Sequence, residues 1–219
     1  MLTSLQQRVR SIIAGLPEAD TVALAGGGAL IVHGIVDRAT TDLDFFSPTD
    51  VDVRIFAEAT CSALEQEGLG VAMERSSAEF VRLLVRDGND ELSIDIGISG
   101  RAFPPVSTAQ GRVLAAEDLA GDKLLALFGR AEPRDFIDVY ALSARFDVID
   151  LCDFAADKDQ GFSLEQLRDA LSVFDHHPRQ AFPITDPEFE TLRDWVHSWR
   201  GQLPRSSQSS RNDRGSTSE

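Results

Sequence analysis

Cysteine and lysine are scarce in this chain of 219 residues. Cys61 and Cys152 lie far apart and match no metal-ligand or redox spacing, so a disulfide scaffold and a thiolate metal site are both excluded. Lys123 and Lys158 are the only lysines, and arginine carries nearly all the positive charge. That charge is itself in deficit: 21 Lys and Arg stand against 36 Asp and Glu, a formal net charge of -15. A protein that binds nucleic acid chiefly through phosphate neutralisation would show the opposite balance. Nucleic acid therefore fits as a substrate only if the arginines gather around one cleft. A membrane-spanning run of about 18 apolar residues is also missing. The nearest stretch, 22–36, is short and broken by four glycines and His33. The opening MLTSLQQRVRSIIAGL lacks the parts of a signal peptide, so a cytoplasmic protein without membrane contact is expected.

With 42% hydrophobic residues, the chain has enough to build one core. Thr3 followed by Leu5, Val9, Ile12 and Ile13 predicts a helix over 3–15. Short strands are expected at 21–25 and 43–46, with an apolar helix over 29–36 between them and another helix over 50–67. Three strand-like runs follow at 71–75, 80–86 and 92–98. Asp87-Gly88-Asn89-Asp90 marks a hairpin turn between the last two. Beyond Pro104-Pro105 the chain reads as helices, at 116–129, 133–145, 163–174 and 187–199. The expected fold is α+β (mixed α/β), divided into a core over 1–112, a helical part over 113–203 that completes the active site, and a polar disordered tail over 204–219.

Asp42 and Asp44 lie two apart on a predicted strand, so both carboxylates point to one face. Two like charges there call for a cation, and oxygen ligands suit Mg²⁺. Upstream, Gly26, Gly27 and Gly28 join a strand to a helix, where glycine lets backbone N–H groups approach phosphate. Separately, each feature is an ordinary turn or strand end. Together they describe metal-assisted phosphoryl or nucleotidyl transfer. An EF-hand is excluded because Ser47 occupies the sixth position from Asp42, and AGGGALIVHG contains no dinucleotide fingerprint.

The stretch GGGALIVHGIVDRATTDLDFF resembles the first motif of the AbiEii-type nucleotidyltransferase toxins, which include the MenT group within the polymerase-β-like nucleotidyltransferase superfamily. Gly26, Gly27, Arg38, Thr40, Asp42 and Asp44 carry that likeness. A second stretch, DKLLALFGRAEPRDFIDVYAL, resembles the later motif through Lys123, Arg130, Arg134, Asp135 and Asp138. The resemblance spans about residues 22–142. It implies a polymerase-β-like sheet followed by a helical half. It also implies that Asp42 and Asp44 hold Mg²⁺ with an NTP, and that Lys123 contacts phosphates. The resemblance further implies that Asp138 belongs to the catalytic centre, where a role as base needs reach to the attacking hydroxyl. Gly26 to Gly28, Arg38, Thr40, Thr41, Lys123 and Arg134 form the expected nucleotide-binding set. The resemblance implies a third metal carboxylate, for which Asp95, an acid in an apolar strand, is the candidate; metal or arginine pairing would account for it if buried, and an ordinary strand residue facing solvent is the alternative.

The implied reaction is transfer of a nucleotide from NTP to the 3′ end of tRNA, blocking aminoacylation, by the toxin of a toxin–antitoxin pair. A cognate antitoxin is then a partner, and phosphorylation at Thr40 would silence the enzyme. Rival readings keep the chemistry with a protein hydroxyl or an antibiotic as acceptor, or reduce the protein to a nucleotide-binding module. His176-His177 reads as a loop rather than a metal site, and Trp195 and Trp199 as core. Arg75, Arg82 and Arg86 sit on predicted strands where they would either line a nucleic-acid groove or face solvent.

Overall fold

Thr3 starts the first helix, α1 (Ser4–Ala14), through a capping box. Its hydroxyl accepts from the Gln6 backbone at 3.2 Å while Gln6 Oε1 accepts from the Thr3 N–H at 2.8 Å. The computed structural model describes residues 1–48 and 52–204. The expected tail beyond Pro204, and the start of the helix expected from Asp50, lie outside the described residues. Strand β1 (Ala23–Ala25) is shorter than the sequence pattern implies, because Pro17–Thr21 forms a 3-10 turn instead. Helix α2 (Gly26–Val32) begins directly at the first glycine, three residues before its apolar run. Then come β2 (Asp42–Ser47), α3 (Val53–Gln66), β3 (Gly70–Ser76), β4 (Phe80–Asp87) and β5 (Asp90–Ile98). A hairpin of β6 (Val106–Thr108) and β7 (Gly111–Val113) escapes sequence reading, since three residues are too few to show alternation.

The seven strands form one mixed sheet in the order β3-β4-β5-β2-β1-β7-β6. β2 lies antiparallel to β1 and parallel to β5. Alternation along β2 buries Leu43, Phe45 and Ser47 and turns Asp42, Asp44 and Phe46 the other way. The buried side of the sheet, with Leu43, Phe45, Val81, Leu83 and Ile94, packs beneath α1 and α3.

The helical half contains α4 (Ala116–Arg130), α5 (Pro133–Leu142), α6 (Val148–Lys158), α7 (Leu164–Ser172) and α8 (Asp186–Gln202). Helix α6 was not expected; its opening signal is the Asp147/Asp150 capping box, which in sequence reads as two more surface acids. Gly121 lets α4 meet α6 backbone to backbone. A Cβ at this position would lie 2.7 Å from the Phe154 carbonyl oxygen. Phe136, Phe174, Phe182 and Phe189 cluster between α5 and α8, with Phe174 and Phe182 centroids 4.9 Å apart. Trp199 is buried, and Trp195 stands edge-on to Tyr140. His177 is occupied structurally, its Nε2 lying 2.7 Å from the Ala131 carbonyl. Among the described residues no helix is long and apolar enough to cross a membrane.

Candidate active site

The glycine turn and the aspartate strand meet because β1 and β2 pair in a register that sets Ala25 opposite Asp44. The chain then turns at Gly26, with φ +57°, and a Cβ there would lie 1.8 Å from Asp44 Oδ2. Gly27 likewise leaves room for Thr40 and Arg38, whose Oγ1 and Nη2 would stand 2.9 and 3.3 Å from an added Cβ. Gly28 differs: its missing side chain would enter the core against Leu43 and Leu24. Gly26→Ala is expected to displace the Asp44 carboxylate and to combine that clash with left-handed strain of about 1–3 kcal/mol. Transfer activity and thermal unfolding would register both; an active variant with the wild-type melting point would refute this packing account.

Asp42 and Asp44 are half-buried on one face, with Leu43 buried between them. Thr40 Oγ1 donates to Asp42 Oδ1 at 2.7 Å. The Thr40 carbonyl accepts from the side-chain amide of buried Gln6 at 2.8 Å. A link therefore runs from the cap of α1 to the first aspartate. Gln6 was missed from sequence, where it reads only as the local partner of Thr3. Thr41 is exposed beside the same segment.

Asp44 feels burial first, then the charge of Asp42. Lys123 offsets these in part, while Asp95 adds to them, and the carboxyl is pushed up to about 6. Asp95 lies opposite Asp44 in the sheet register. Both its oxygens, however, are held by Arg82, with Nε to Oδ1 at 2.7 Å and Nη2 to Oδ2 at 2.6 Å. Arginine pairing, one of the accounts that sequence allowed, is what the structure contains.

In the helical half, Asp138 on α5 is fully buried and carries two cations. Arg38 forks onto it, Nε to Oδ1 at 2.8 Å and Nη2 to Oδ2 at 2.7 Å, and Lys123 Nζ lies 2.9 Å from Oδ2. Burial opposes ionisation of Asp138, but Arg38 and Lys123 outweigh it and hold the carboxyl below its ordinary range. Asp135 does separate work. It accepts both bonds of an Arg130 fork and the Glu132 N–H, fixing the start of α5. Arg134 remains half-exposed, 3.2 Å from Glu132.

Among the described residues no three His, Cys, Asp or Glu side chains form a metal cage. The donor set nonetheless fits Mg²⁺ carried on a nucleotide, which takes one or two carboxylates and fills its shell from phosphates and water. Two strand carboxylates at a glycine turn, with a buried lysine from the helical half nearby, suit nucleotidyl transfer, and the family match makes the protein a nucleotidyltransferase. The family model described as "Nucleotidyl transferase AbiEii toxin, Type IV TA system" matches residues 11–209, and the chain belongs to this AbiEii toxin family.

Solved structures share the fold. MenT4, a nucleotidyltransferase toxin from Mycobacterium tuberculosis H37Rv, superposes with a TM-score of 0.59 at 16% identity, over 91% of this chain and 82% of that one. JHP933 from Helicobacter pylori gives a TM-score of 0.56 at 19% identity, over 92% and 94% of the two chains. No curated protein matches the sequence.

Proposed function

We propose that this toxin transfers a nucleotide from an NTP to the 3′ end of tRNA in a Mg²⁺-dependent reaction and so blocks aminoacylation. The carrying observation is the strand pair Asp42 and Asp44 on one face, where burial and then the charge of Asp42 push Asp44 up to about 6 although Lys123 and Arg134 offset them in part. Mg²⁺ held by these two carboxylates would neutralise charge building on the triphosphate. Thr40 fixes the direction of Asp42, and the backbone at Gly26 and Gly27 borders the same space. Lys123 presents its ammonium from the helical half, with Arg134 further out, to hold phosphate oxygens. The acceptor 3′-oxygen forms a bond to the α-phosphorus as the bond to pyrophosphate breaks, and the hydroxyl proton passes to solvent. Asp138 serves as a positioning residue for Arg38 and Lys123 rather than as the base. Asp95, beside the metal pair, aligns Arg82.

The decisive experiment is label transfer from each of four α-labelled NTPs to total tRNA, with Mg²⁺ and an Asp42→Ala control. Label on tRNA from the wild type alone supports the reading. Label that persists in Asp42→Ala overturns the metal assignment. Label absent from tRNA but present on a protein or small molecule moves the acceptor to a protein hydroxyl or an antibiotic-like compound, which the acidic surface would suit.

The proposal extends to regulation by a cognate antitoxin in the cytoplasm, through phosphorylation of Thr40. A phosphoryl group there removes the donor to Asp42 and adds about 1.5 to 2 negative charges beside it. Thr40→Asp is expected to lose about ten- to a hundredfold in transfer rate, roughly the effect of one misplaced ligand. Unchanged turnover would count against the switch.

A further inference from the structure

The face of the sheet opposite α1 and α3 carries a continuous row of side chains. Strand register sets Arg75 beside Arg82, Arg82 beside Asp95, and Asp95 beside Asp44. The row thus runs from the β3 edge directly to the second metal carboxylate, three strand spacings or about 14 Å away. A parallel row is apolar: Phe80, Gly97 and Phe46. Gly97 keeps it low, since a Cβ there would touch both rings, at 3.5 Å from Phe46 and 3.7 Å from Phe80. Phe80 is half-buried, with the Arg75 guanidinium 5.2 Å and that of Arg82 5.8 Å from its ring centroid. Asp95 fixes the Arg82 guanidinium by its two-point contact. Arg82 and Arg86 have carboxylate partners, whereas Arg75 is exposed and makes no ion pair among the described residues.

We propose that this face is the track for the unpaired 3′-terminal segment of an RNA acceptor, with Phe80 and Arg82 as its stacking platform and Arg75 as its phosphate contact. This rests on the RNA-acceptor reading above. The chemistry suits a single strand. Bases stack on phenyl and guanidinium planes whatever their sequence, so affinity does not need a strongly basic surface. That resolves the tension between an acidic chain and a nucleic-acid substrate. The row also ends where the reacting 3′-hydroxyl must arrive.

The test uses the full chain and a fluorescein-labelled single-stranded RNA dodecamer, with binding of a non-hydrolysable NTP analogue in Mg²⁺ measured in parallel. Phe80→Ala is expected to weaken RNA binding about tenfold, and Phe80→Trp to restore it. Arg75→Gln should lower the slope of log affinity against log salt by about 0.7, the loss of one single-strand phosphate contact. Nucleotide-analogue binding should stay at the wild-type level in all three. RNA binding by the wild type that survives unchanged in Phe80→Ala and Arg75→Gln overturns the track and leaves the RNA acceptor standing. Equal losses of RNA and nucleotide binding would mean a structural role and also overturn it. A wild type that binds no RNA but labels a protein overturns both readings.

Discussion

Asp44→Asn is expected to abolish nucleotide transfer and, in metal-free buffer at pH 8, to raise the melting temperature. Loss of a carboxylate proposed to hold the metal should cost about a hundred- to a thousandfold in rate, the scale of removing a main electrostatic element of catalysis. The stability gain has a separate origin. Folding raises the Asp44 carboxyl to about 6 through burial and the nearby Asp42 charge. Its contribution to stability is complete below the unfolded value near 4 and disappears as pH rises through about 6. Above that, the folded protein holds Asp44 ionised in a site that disfavours the charge. Asparagine removes the charge, and a gain of about 2 kcal/mol corresponds to roughly 5 °C for a chain of this size. The difference between variant and wild type should shrink towards pH 4. A variant that melts at or below the wild type at pH 8 would show that the carboxylates do not strain one another.

Asp138→Ala should have the opposite effect on folding and the same effect on activity. Removing this buried carboxylate leaves Arg38 and Lys123 facing each other without their shared partner. Breaking a buried ion pair costs about 3–5 kcal/mol, so a fall in melting temperature of roughly 10 °C is expected. The pH dependence follows from the depressed carboxyl: its stabilisation is present above the unfolded value and lost as pH falls through the lower folded one. The two readouts follow the same ion pairs: the melting temperature reports their loss, and the transfer rate reports what they position. Lys123→Ala, which leaves the Arg38 fork intact, should then be less damaging to stability than Asp138→Ala.

The parts of the site that could be read from sequence are those held together by short spacing. Asp42 and Asp44 share a face because strands alternate, and the Gly26 turn sits one strand pairing away. Lys123 and Asp138 were visible as a spaced motif, yet the fork from Arg38 joins positions 100 residues apart and has no local signature. Gln6 was hidden more thoroughly, because its capping role fully explains its presence until the fold brings Thr40 against it. Asp95 illustrates a different limit. An acid in an apolar strand demands a partner, but pattern alone does not distinguish a cation in solution from Arg82 on the neighbouring strand. The secondary-structure omissions were similarly physical: β6 and β7 are too short for periodicity, and α6 begins on acids that resemble a solvated loop.

Gly121 carries an implication for how the enzyme can drift in evolution. Where side chains separate two helices, each substitution changes their spacing a little, and the helices slide to accommodate it. Here main chain rests on main chain, so α4 has a fixed stop against α6 near Phe154. Lys123 lies two residues further along α4. Its position is thus gauged from the backbone, and the residues lining the rest of that helical seam are free to vary without moving its ammonium away from Asp138.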